Sequence, residues 1–285
     1  MIENMYECYT LNNGVKIPCI GYGTYKATEG AGEKTISHAI KVGYRYFDTA
    51  SFYGTEGDIA KAVKESNIPR EEFFYATKVW KEEMGYEQTK EAFEKSLKNL
   101  QTNYLDLYLI HWPIPSFGYK GWKQLTVDTW RAMEELYKEG KIRAIGFSNF
   151  LPHHIENILD NCTIRPMVNQ LEFHPGYTQE AAVNYCKENN IQVQAWSPIG
   201  RARMLNDPLL VELAEKYNVS SAQICLRFAL QKQIIPLPKT TSIERMKENK
   251  NIFSFSISKE DMYRLDTMPQ VGWSGEHPDR ERIYF

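Results

Sequence analysis

The sequence predicts an α/β protein built as a (β/α)8 barrel, and three observations support this fold. Short apolar segments typical of strands alternate with amphipathic helical segments along all 285 residues. Eight such units follow one another, and helical crossovers imply parallel strands. No Pro/Gly/Ser-rich linker divides the chain, so we expect one domain over residues 1–285, although the length alone also permits two. A doubly wound parallel sheet is the alternative fold.

The predicted elements start with a hairpin, YTLNNGVKIP, at residues 9–18. Its centre, Asn13-Gly14, favours the tight turn that joins antiparallel strands. Eight segments after it have the length and composition of buried strands. They are predicted near residues 19–23, 44–48, 73–78, 105–111, 142–148, 167–172, 191–197 and 234–237.

Between these strands the spacing of apolar residues becomes helical. Apolar residues recur every three or four positions over residues 92–100 and again over 209–217. Thr55 and Ser258 are each followed three residues later by an aspartate, which is the pattern of an N-terminal capping box. We therefore expect each hydroxyl to cap the helix that follows it.

Charge and cysteine content exclude several functional classes. A net charge of -2 provides no broad positive surface, so neither nucleic acid nor an anionic membrane is an expected partner. The five cysteines are odd in number and never spaced C-x-x-C, which favours reduced thiols in the core over a disulfide framework or a zinc site. The start of the chain does not resemble a signal peptide, and no segment approaches the roughly 18 apolar residues of a membrane span. We expect a cytoplasmic protein.

Polar residues end or follow most of the predicted strands. In a (β/α)8 barrel the active site lies at the C-terminal ends of the strands, so these residues are candidates for it. They are Asp48 with Tyr53 just beyond it, Lys78, His111, Ser148 with Asn149, Asn169 with Gln170, Trp196 with Ser197, and Lys239. Each of them alone has an ordinary explanation, such as a turn cap, a surface lysine or a buried histidine. Asp, Tyr, Lys and His together can donate a proton, because a cation beside a phenol stabilises its phenolate.

Three segments closely resemble the signature stretches of the aldo-keto reductase family. They are GYRYFDTASFYGTEGDIAKAV at residues 43–63, NYLDLYLIHWP at 103–113 and IPLPKTTSIERMKEN at 235–249. The resemblance extends over essentially the whole chain. It implies a (β/α)8-barrel carbonyl reductase that binds a nicotinamide cofactor without a Rossmann domain, in keeping with the lack of a strand-associated G-x-G-x-x-G. The short tail, residues 270–285, is similar to that of bacterial members that include diketogluconate, glyoxal and prostaglandin F synthase-like reductases.

The resemblance implies a catalytic tetrad of Asp48, Tyr53, Lys78 and His111, with every member present. Asp48 would hold the Lys78 ammonium, and the ammonium would lower the pKa of the Tyr53 phenol. Tyr53 would protonate the carbonyl oxygen as a hydride reaches the carbon. His111 would orient the carbonyl by a hydrogen bond. The expected reaction is reduction of aldehydes and ketones to alcohols.

The cofactor implied by the resemblance is NADPH/NADP+. Lys239, Thr240 and Arg245 would hold the 2′-phosphate, which suits a guanidinium and an ammonium. The other implied cofactor positions are Gly23, Thr24, Asp48, Ser148, Asn149, Gln170, Trp196, Ser197, Ile199, Glu248 and Asn249. Many members have tyrosine where Trp196 stands. The tryptophan keeps the flat stacking surface but lacks the hydroxyl.

The implied substrate pocket is aromatic. Tyr25, Trp80 and Trp112 would line it beside Tyr53 and His111, which suits small, aromatic or dicarbonyl compounds and keto sugars. The loop at residues 113–123, with Phe117, Tyr119 and Trp122, is a candidate rim of the pocket. The short tail is expected to leave the pocket open and the substrate range broad.

Two other functions remain open from the sequence. The first is a cofactor-binding module with little turnover, as in channel-associated and lens relatives of the family. The second is a metal-dependent barrel hydrolase, which needs more strand-end ligands than Asp48 and His111 supply. His153 and His154 are expected at the surface without a metal. His174 and His277, each before a proline, are expected in turns. A monomer or a weak homodimer is expected.

Overall fold

A computed structural model describes residues 2–27 and 32–280, and in it eight parallel strands form one sheet behind an N-terminal hairpin. The hairpin pairs β1 (Cys8–Thr10) antiparallel with β2 (Lys16–Pro18). The eight strands are β3 (Tyr22–Gly23), β4 (Tyr46–Asp48), β5 (Phe74–Val79), β6 (Leu107–Ile110), β7 (Ile145–Ser148), β8 (Val168–Glu172), β9 (Gln192–Trp196) and β10 (Ile235–Pro236). Each strand overlaps its predicted segment, so the predicted hairpin and all eight strands are confirmed.

The sheet closes into a barrel through backbone hydrogen bonds between its first and last strands. The amide of Gly21, just before β3, donates to the carbonyl of Pro236 at 3.1 Å. The amide of Gly23 donates to the carbonyl of Pro238 at 3.0 Å. Closure removes the open edges that a doubly wound sheet would have. The predicted (β/α)8 fold is confirmed over its alternative.

Helices surround this barrel in the described part of the chain. They are α1 (Glu33–Val42), α2 (Glu56–Ser66), α3 (Tyr86–Leu100), α4 (Trp122–Lys138), α5 (Pro152–Leu159), α6 (Glu180–Glu188), α7 (Pro208–Tyr217), α8 (Ser221–Gln231), α9 (Ile243–Lys250) and α10 (Lys259–Asp266). The helical spacings predicted over 92–100 and 209–217 lie in α3 and α7. None of the helices described is both long and apolar enough to cross a lipid bilayer.

The barrel strands are buried on both faces, so their polar side chains must form hydrogen bonds with one another. Every residue of β4 through β8 is buried, as expected for parallel strands covered by helices. Inside the barrel, the Gln194 amide donates to the Tyr46 hydroxyl at 2.8 Å and accepts from Gln170 at 3.0 Å. Buried polar side chains rarely stay without a hydrogen bond. A layer of amides therefore lies beneath the C-terminal mouth.

The two predicted helix caps differ in outcome. Ser258 accepts from the amide of Asp261 at 3.1 Å, although its own amide donates to the Tyr217 hydroxyl and not to the aspartate. Thr55 makes no capping bond. Its hydroxyl lies 2.9 Å from that of Thr24 and 2.7 Å from that of Thr49. The Thr55 prediction is wrong because this buried hydroxyl pairs with strand-end threonines.

The cysteines are all free thiols, as predicted, but not all are in the core. Cys19, Cys186 and Cys225 are buried, and Cys162 is partly buried. Cys8 is exposed on the outer strand of the hairpin. The prediction of core thiols is therefore wrong for Cys8, which lies with Thr10 on the exposed face of β1, while Tyr9 between them is partly buried.

Candidate active site

A cavity of about 880 Å³ opens at the C-terminal ends of the strands. Most of the residues that the sequence assigns to the site line it. They are Gly23, Tyr25, Asp48, Tyr53, Trp80, His111, Trp112, Ser148, Asn149, Gln170, Trp196, Ser197, Ile199, Lys239, Thr240 and Arg245. Four assigned residues do not line it. They are Thr24, Lys78, Glu248 and Asn249.

A buried ion pair lies at the floor of the cavity, which Asp48 lines and beneath which Lys78 lies. Asp48 ends β4, and Lys78 lies near the end of the neighbouring β5. Lys78 Nζ lies 2.7 Å from Asp48 Oδ2 and donates to the Thr49 carbonyl at 2.8 Å. Asp48 Oδ1 accepts from the Gln170 amide at 2.8 Å. Burial lowers the pKa of Lys78, while the Asp48 charge acts in the opposite direction. The Asp48 carboxylate therefore favours the charged form of Lys78 in a place where burial disfavours it.

Tyr53 stands above this pair on the short 3₁₀ helix Ser51–Tyr53, which follows β4. Lys78 Nζ lies 5.2 Å from the centroid of the Tyr53 ring. Burial raises the pKa of Tyr53 well above its ordinary value, and the Asp48 carboxylate adds to the rise. The predicted lowering of this pKa is therefore not found, because desolvation of the phenolate dominates. At neutral pH the phenol holds its proton.

His111 follows β6 and faces the Tyr53 hydroxyl. Its Nε2 lies 3.3 Å from that hydroxyl. Burial lowers the pKa of His111 well below its ordinary value, and the Lys78 and Lys81 ammonium groups lower it further. The imidazole is therefore neutral at pH 7, and Nδ1 has no hydrogen-bond partner among the described residues. The neutral His111 ring and the protonated Tyr53 phenol thus lie side by side on the same part of the cavity.

One wall of the cavity is an indole held by an amide. Trp196 Nε1 donates to Asn149 Oδ1 at 2.8 Å, and Asn149 Nδ2 donates to the His111 carbonyl at 3.1 Å. Asn149 and Ser197, which follow their strands, both have left-handed backbones, with φ of 63° and 47°. Such conformations outside glycine are uncommon and gather at functional sites. Asn149 thus ties the indole to the backbone beside His111.

A basic corner lies at the far end of the cavity, beside the N-terminus of α9. Lys239 and Arg245 are exposed there, and neither forms an ion pair within residues 2–27 and 32–280. Gly23 lies opposite, where an added Cβ would lie 3.1 Å from the Leu237 carbonyl oxygen. A side chain at position 23 would therefore crowd the barrel closure. The corner has the charge and the space for an anion.

The assigned residues outside the cavity have structural contacts. The Thr24 hydroxyl donates to the Asp48 carbonyl at 2.9 Å and so supports the floor from behind. On α9, Glu248 accepts from the Ser220 hydroxyl, and Asn249 is buried. Lys78 lies beneath Tyr53 with no exposed surface. Thr24 and Lys78 can therefore act on the cavity only through the residues they contact. Glu248 and Asn249 lie on α9, outside the lining of the cavity.

The other wall is aromatic and includes residues that the sequence did not single out. The Tyr25 ring lies 4.9 Å from that of Tyr53. Phe52 stacks on Trp80 at 4.1 Å, although 56% of its surface is exposed. Of the predicted rim residues, Phe117 lines the cavity, whereas Tyr119 and Trp122 do not. Phe52 could have been suspected from its position beside Tyr53.

Charged side chains at the mouth are the main feature that sequence reasoning missed. Arg201 Nη2 lies 2.8 Å from Glu276 Oε1, and both residues line the cavity with Lys81. The tail is held in place by the buried Glu172, which accepts from the Ser274 amide at 2.9 Å and from its hydroxyl at 2.7 Å. Residues of the short tail thus form part of the wall, and His277 is one of them.

One cluster of possible metal ligands among the described residues does not line this cavity. His153, His154 and Asp279 bring their ligand atoms within 4.8 Å of one another. His154 is fully buried, so its predicted surface position is wrong. Its Nδ1 accepts from the Leu151 amide at 3.1 Å. The ring proton must then be on Nε2, which leaves that nitrogen no lone pair for a metal.

Comparison with known proteins agrees with this geometry. Residues 20–269 match the model of the Aldo/keto reductase family. The chain is 46% identical over 280 residues to "Glyoxal reductase" of Bacillus subtilis (strain 168), covering 98% of this chain and 99% of that protein. A solved aldo/keto reductase from Brucella melitensis superposes with a TM-score of 0.86 at 39% identity, covering 92% of this chain and 98% of that one.

A further solved relative is bound to a nicotinamide cofactor. It is an aldo-keto reductase of Bombyx mori in complex with NADP, with a TM-score of 0.84, 31% identity, and coverage of 100% of this chain and 96% of that one. The family match, the high identity over nearly the full length and the shared barrel agree. This chain belongs to the aldo/keto reductase family of oxidoreductases.

Proposed function

We propose that this protein reduces aldehydes and ketones to alcohols with NADPH, and that Tyr53 is the general acid. The observation that carries the proposal is the position of the Tyr53 hydroxyl, 3.3 Å from His111 Nε2 and above the buried Lys78–Asp48 pair. A carbonyl oxygen placed between the phenol and the imidazole can receive a hydrogen bond from each. Preorganised donors of this kind stabilise the charge that develops on such an oxygen.

The residues divide the proton chemistry among them. When bound in the cavity, NADPH would supply a hydride for the carbonyl carbon. Tyr53 donates its proton to the oxygen as negative charge grows there, and neutral His111 donates from Nε2 to the same oxygen. The raised pKa of Tyr53 keeps the proton in place until then. The phenolate that remains is stabilised by the Lys78 ammonium, 5.2 Å from the ring, and Asp48 keeps that ammonium protonated.

The cavity fits a dinucleotide phosphate cofactor. Trp196 offers a flat surface for the nicotinamide ring, and the Asn149 and Gln170 amides lie beside it. At the basic corner, Lys239 and Arg245 form no ion pair with any described residue, and their charges suit a 2′-phosphate. The remaining proposed cofactor residues are Gly23, Thr24, Ser148, Ser197, Ile199, Thr240, Glu248 and Asn249. Tyr25, Trp80 and Trp112 are proposed to contact the substrate.

Replacing Arg245 with alanine is expected to weaken NADPH binding about tenfold or more, the range of a charge-assisted hydrogen bond, and to leave NADH binding unchanged. The guanidinium would contact only the 2′-phosphate, which NADH lacks. Both dissociation constants can be measured by quenching of tryptophan fluorescence. Lys247→Ala removes an exposed cation of the same helix that does not line the cavity. An unchanged NADPH to NADH ratio in Arg245→Ala would contradict this assignment.

The reaction is tested by following NADPH oxidation with a panel of aldehydes, dicarbonyl compounds and keto sugars. The similarity to a glyoxal reductase makes dicarbonyl compounds the first choice. Turnover with at least one class is the expected result. Tight NADPH binding without turnover of any carbonyl would overturn the proposal in favour of the cofactor-binding module.

We expect kcat/KM for reduction to stay level as the pH falls from about 8 to about 6, near the ordinary pKa of histidine. Burial holds the pKa of His111 well below its ordinary value, so the ring stays neutral over this range. The raised pKa of Tyr53 keeps the acid protonated as well. Activity should decline only at alkaline pH, where the phenol loses its proton. A loss of kcat/KM with a midpoint near pH 6.5 would show instead that His111 titrates normally.

A further inference from the structure

Lys81 places a positive charge on the aromatic wall of the cavity. It begins the short 3₁₀ helix Lys81–Glu83, directly after Trp80. Its Nζ lies 5.7 Å from the ring centroid of Trp80 and 5.1 Å from that of Trp112. The side chain is partly buried and lines the cavity. The ammonium is therefore held against the two indoles that flank the proposed substrate space.

The charge of Lys81 has no anionic partner in the described residues. Glu82, the next residue along the chain, is exposed and forms no ion pair with it. Glu83 accepts hydrogen bonds from the Ser51 hydroxyl at 2.5 Å and from the Trp80 amide at 2.9 Å. Glu276 is held by Arg201 at 2.8 Å. Burial lowers the pKa of Lys81, and the charges of Glu82 and Glu276 act in the opposite direction. A partly desolvated cation of this kind gains free energy when an anion reaches it.

We propose that Lys81 binds an anionic group of the substrate, and that the preferred substrates are aldehydes whose carboxylate is separated from the carbonyl by a spacer such as a phenyl ring. The spacing follows from the wall, because the Trp80 indole neighbours both groups: its ring centroid lies 4.9 Å from that of His111 and 5.7 Å from Lys81 Nζ. A carbonyl at His111 and a carboxylate at Lys81 would span the width of one aromatic ring. This inference rests on the proposed reductase function.

Other cations at the mouth are less suited to this role. Arg201 is already paired with Glu276. Lys26 and Arg280 are exposed, so water and salt screen their charges. Lys239 and Arg245 lie at the corner proposed for the cofactor phosphate. Lys81 is thus the cation of this mouth that is partly buried, unpaired among the described residues and next to the reacting groups.

The test compares 4-carboxybenzaldehyde with its neutral methyl ester in the parent enzyme and in Lys81→Gln. The glutamine keeps most of the length of the side chain and removes its charge. We expect the ratio of kcat/KM for the acid to that for the ester to fall about tenfold in Lys81→Gln, as for one charge-assisted hydrogen bond in a partly exposed site. Lys81→Arg should retain most of the ratio. In the parent, added salt should lower it.

Turnover of the ester is the internal control, because it shows that each variant folds, binds NADPH and performs the chemistry. An unchanged ratio in Lys81→Gln, with both aldehydes reduced, would overturn the role of Lys81 and leave the reductase function standing. Failure of the parent to reduce either aldehyde or any other carbonyl would overturn the proposed function and this inference together. The two failures are therefore distinguishable.

Discussion

Replacing Tyr53 with phenylalanine is expected to lower kcat by at least about 10²-fold, the contribution of a positioned general acid, with little change in NADPH affinity. The variant keeps the ring and loses only the hydroxyl that faces His111 at 3.3 Å. Without this hydroxyl, the developing alkoxide must take its proton from water. Neutral His111 cannot replace the lost acid, because it would give up its single ring proton from a site that already disfavours charge.

A neighbouring tyrosine provides a matched control. Tyr25 lines the same cavity, and its ring lies 4.9 Å from that of Tyr53, but 45% of its surface is exposed. Tyr25→Phe is expected to change kcat by less than about threefold, since its hydroxyl has no contact with His111 or the Lys78 pair. Single-turnover measurements at saturating NADPH would separate the chemical step from product release.

The kinetics of Tyr53→Phe distinguish a reductase from a cofactor-binding module with little turnover. Loss of turnover in Tyr53→Phe with NADPH affinity retained assigns the proton donor. If Tyr53→Phe reduced aldehydes as fast as the parent, the acid would have to be another group, and the mechanism proposed from the cavity would be wrong. Cofactor binding must be measured in both proteins, so that a damaged site is not mistaken for a missing acid.

The residues that sequence reasoning placed correctly are those fixed by the barrel itself. Asp48 ends a strand, Lys78 lies near the end of the next and His111 directly follows a third, so parallel pairing brings them to one mouth wherever the loops run. The apolar runs that define the strands therefore also predict the ends at which these side chains lie. The hairpin and the closure of the sheet follow from equally local patterns.

The residues that were missed depend on contacts between distant parts of the chain. Glu276 reaches Arg201 because Glu172, at the end of β8, holds the tail at Ser274. No local pattern in the tail encodes that contact. Desolvation is equally hard to read from sequence: Lys78 beside Tyr53 suggested a lowered pKa for the phenol, whereas burial raises it. Thr55 shows the same limit, because its hydroxyl pairs with the buried hydroxyls of Thr24 and Thr49 and does not cap the helix that its sequence pattern predicts.

The buried ion pair leads to the largest expected change in stability. Replacing Lys78 with methionine should lower the free energy of unfolding by about 3–5 kcal/mol, because the Asp48 carboxylate would remain buried without its cation. Lys78 has no exposed surface, and its Nζ lies 2.7 Å from Asp48 Oδ2. Turnover should also fall, since the phenolate of Tyr53 would lose the nearby positive charge.

A double-mutant cycle measures the interaction free energy between Asp48 and Lys78. We expect Asp48→Asn/Lys78→Met to be more stable than the sum of the single changes predicts, because the second substitution removes the stranded charge left by the first. Urea unfolding followed by circular dichroism gives the four free energies. Similar m values across the set would show that the variants unfold from comparably compact states. Additive losses would contradict an energetic coupling between Asp48 and Lys78.

Asp48→Asn alone should reveal the coupling through pH. The Asp48 charge raises the pKa of Lys78 against burial, so its removal should lower that pKa further below the value in the unfolded chain. The unfolded state then binds the lysine proton more tightly than the folded state, and stability should increase as the pH rises between the two pKa values. The free energy of unfolding of Asp48→Asn is compared with that of the parent between neutral and alkaline pH. If it rises no more steeply than in the parent, Lys78 has another anionic partner. A steeper rise would show that Asp48 is what keeps the Lys78 ammonium charged beneath Tyr53.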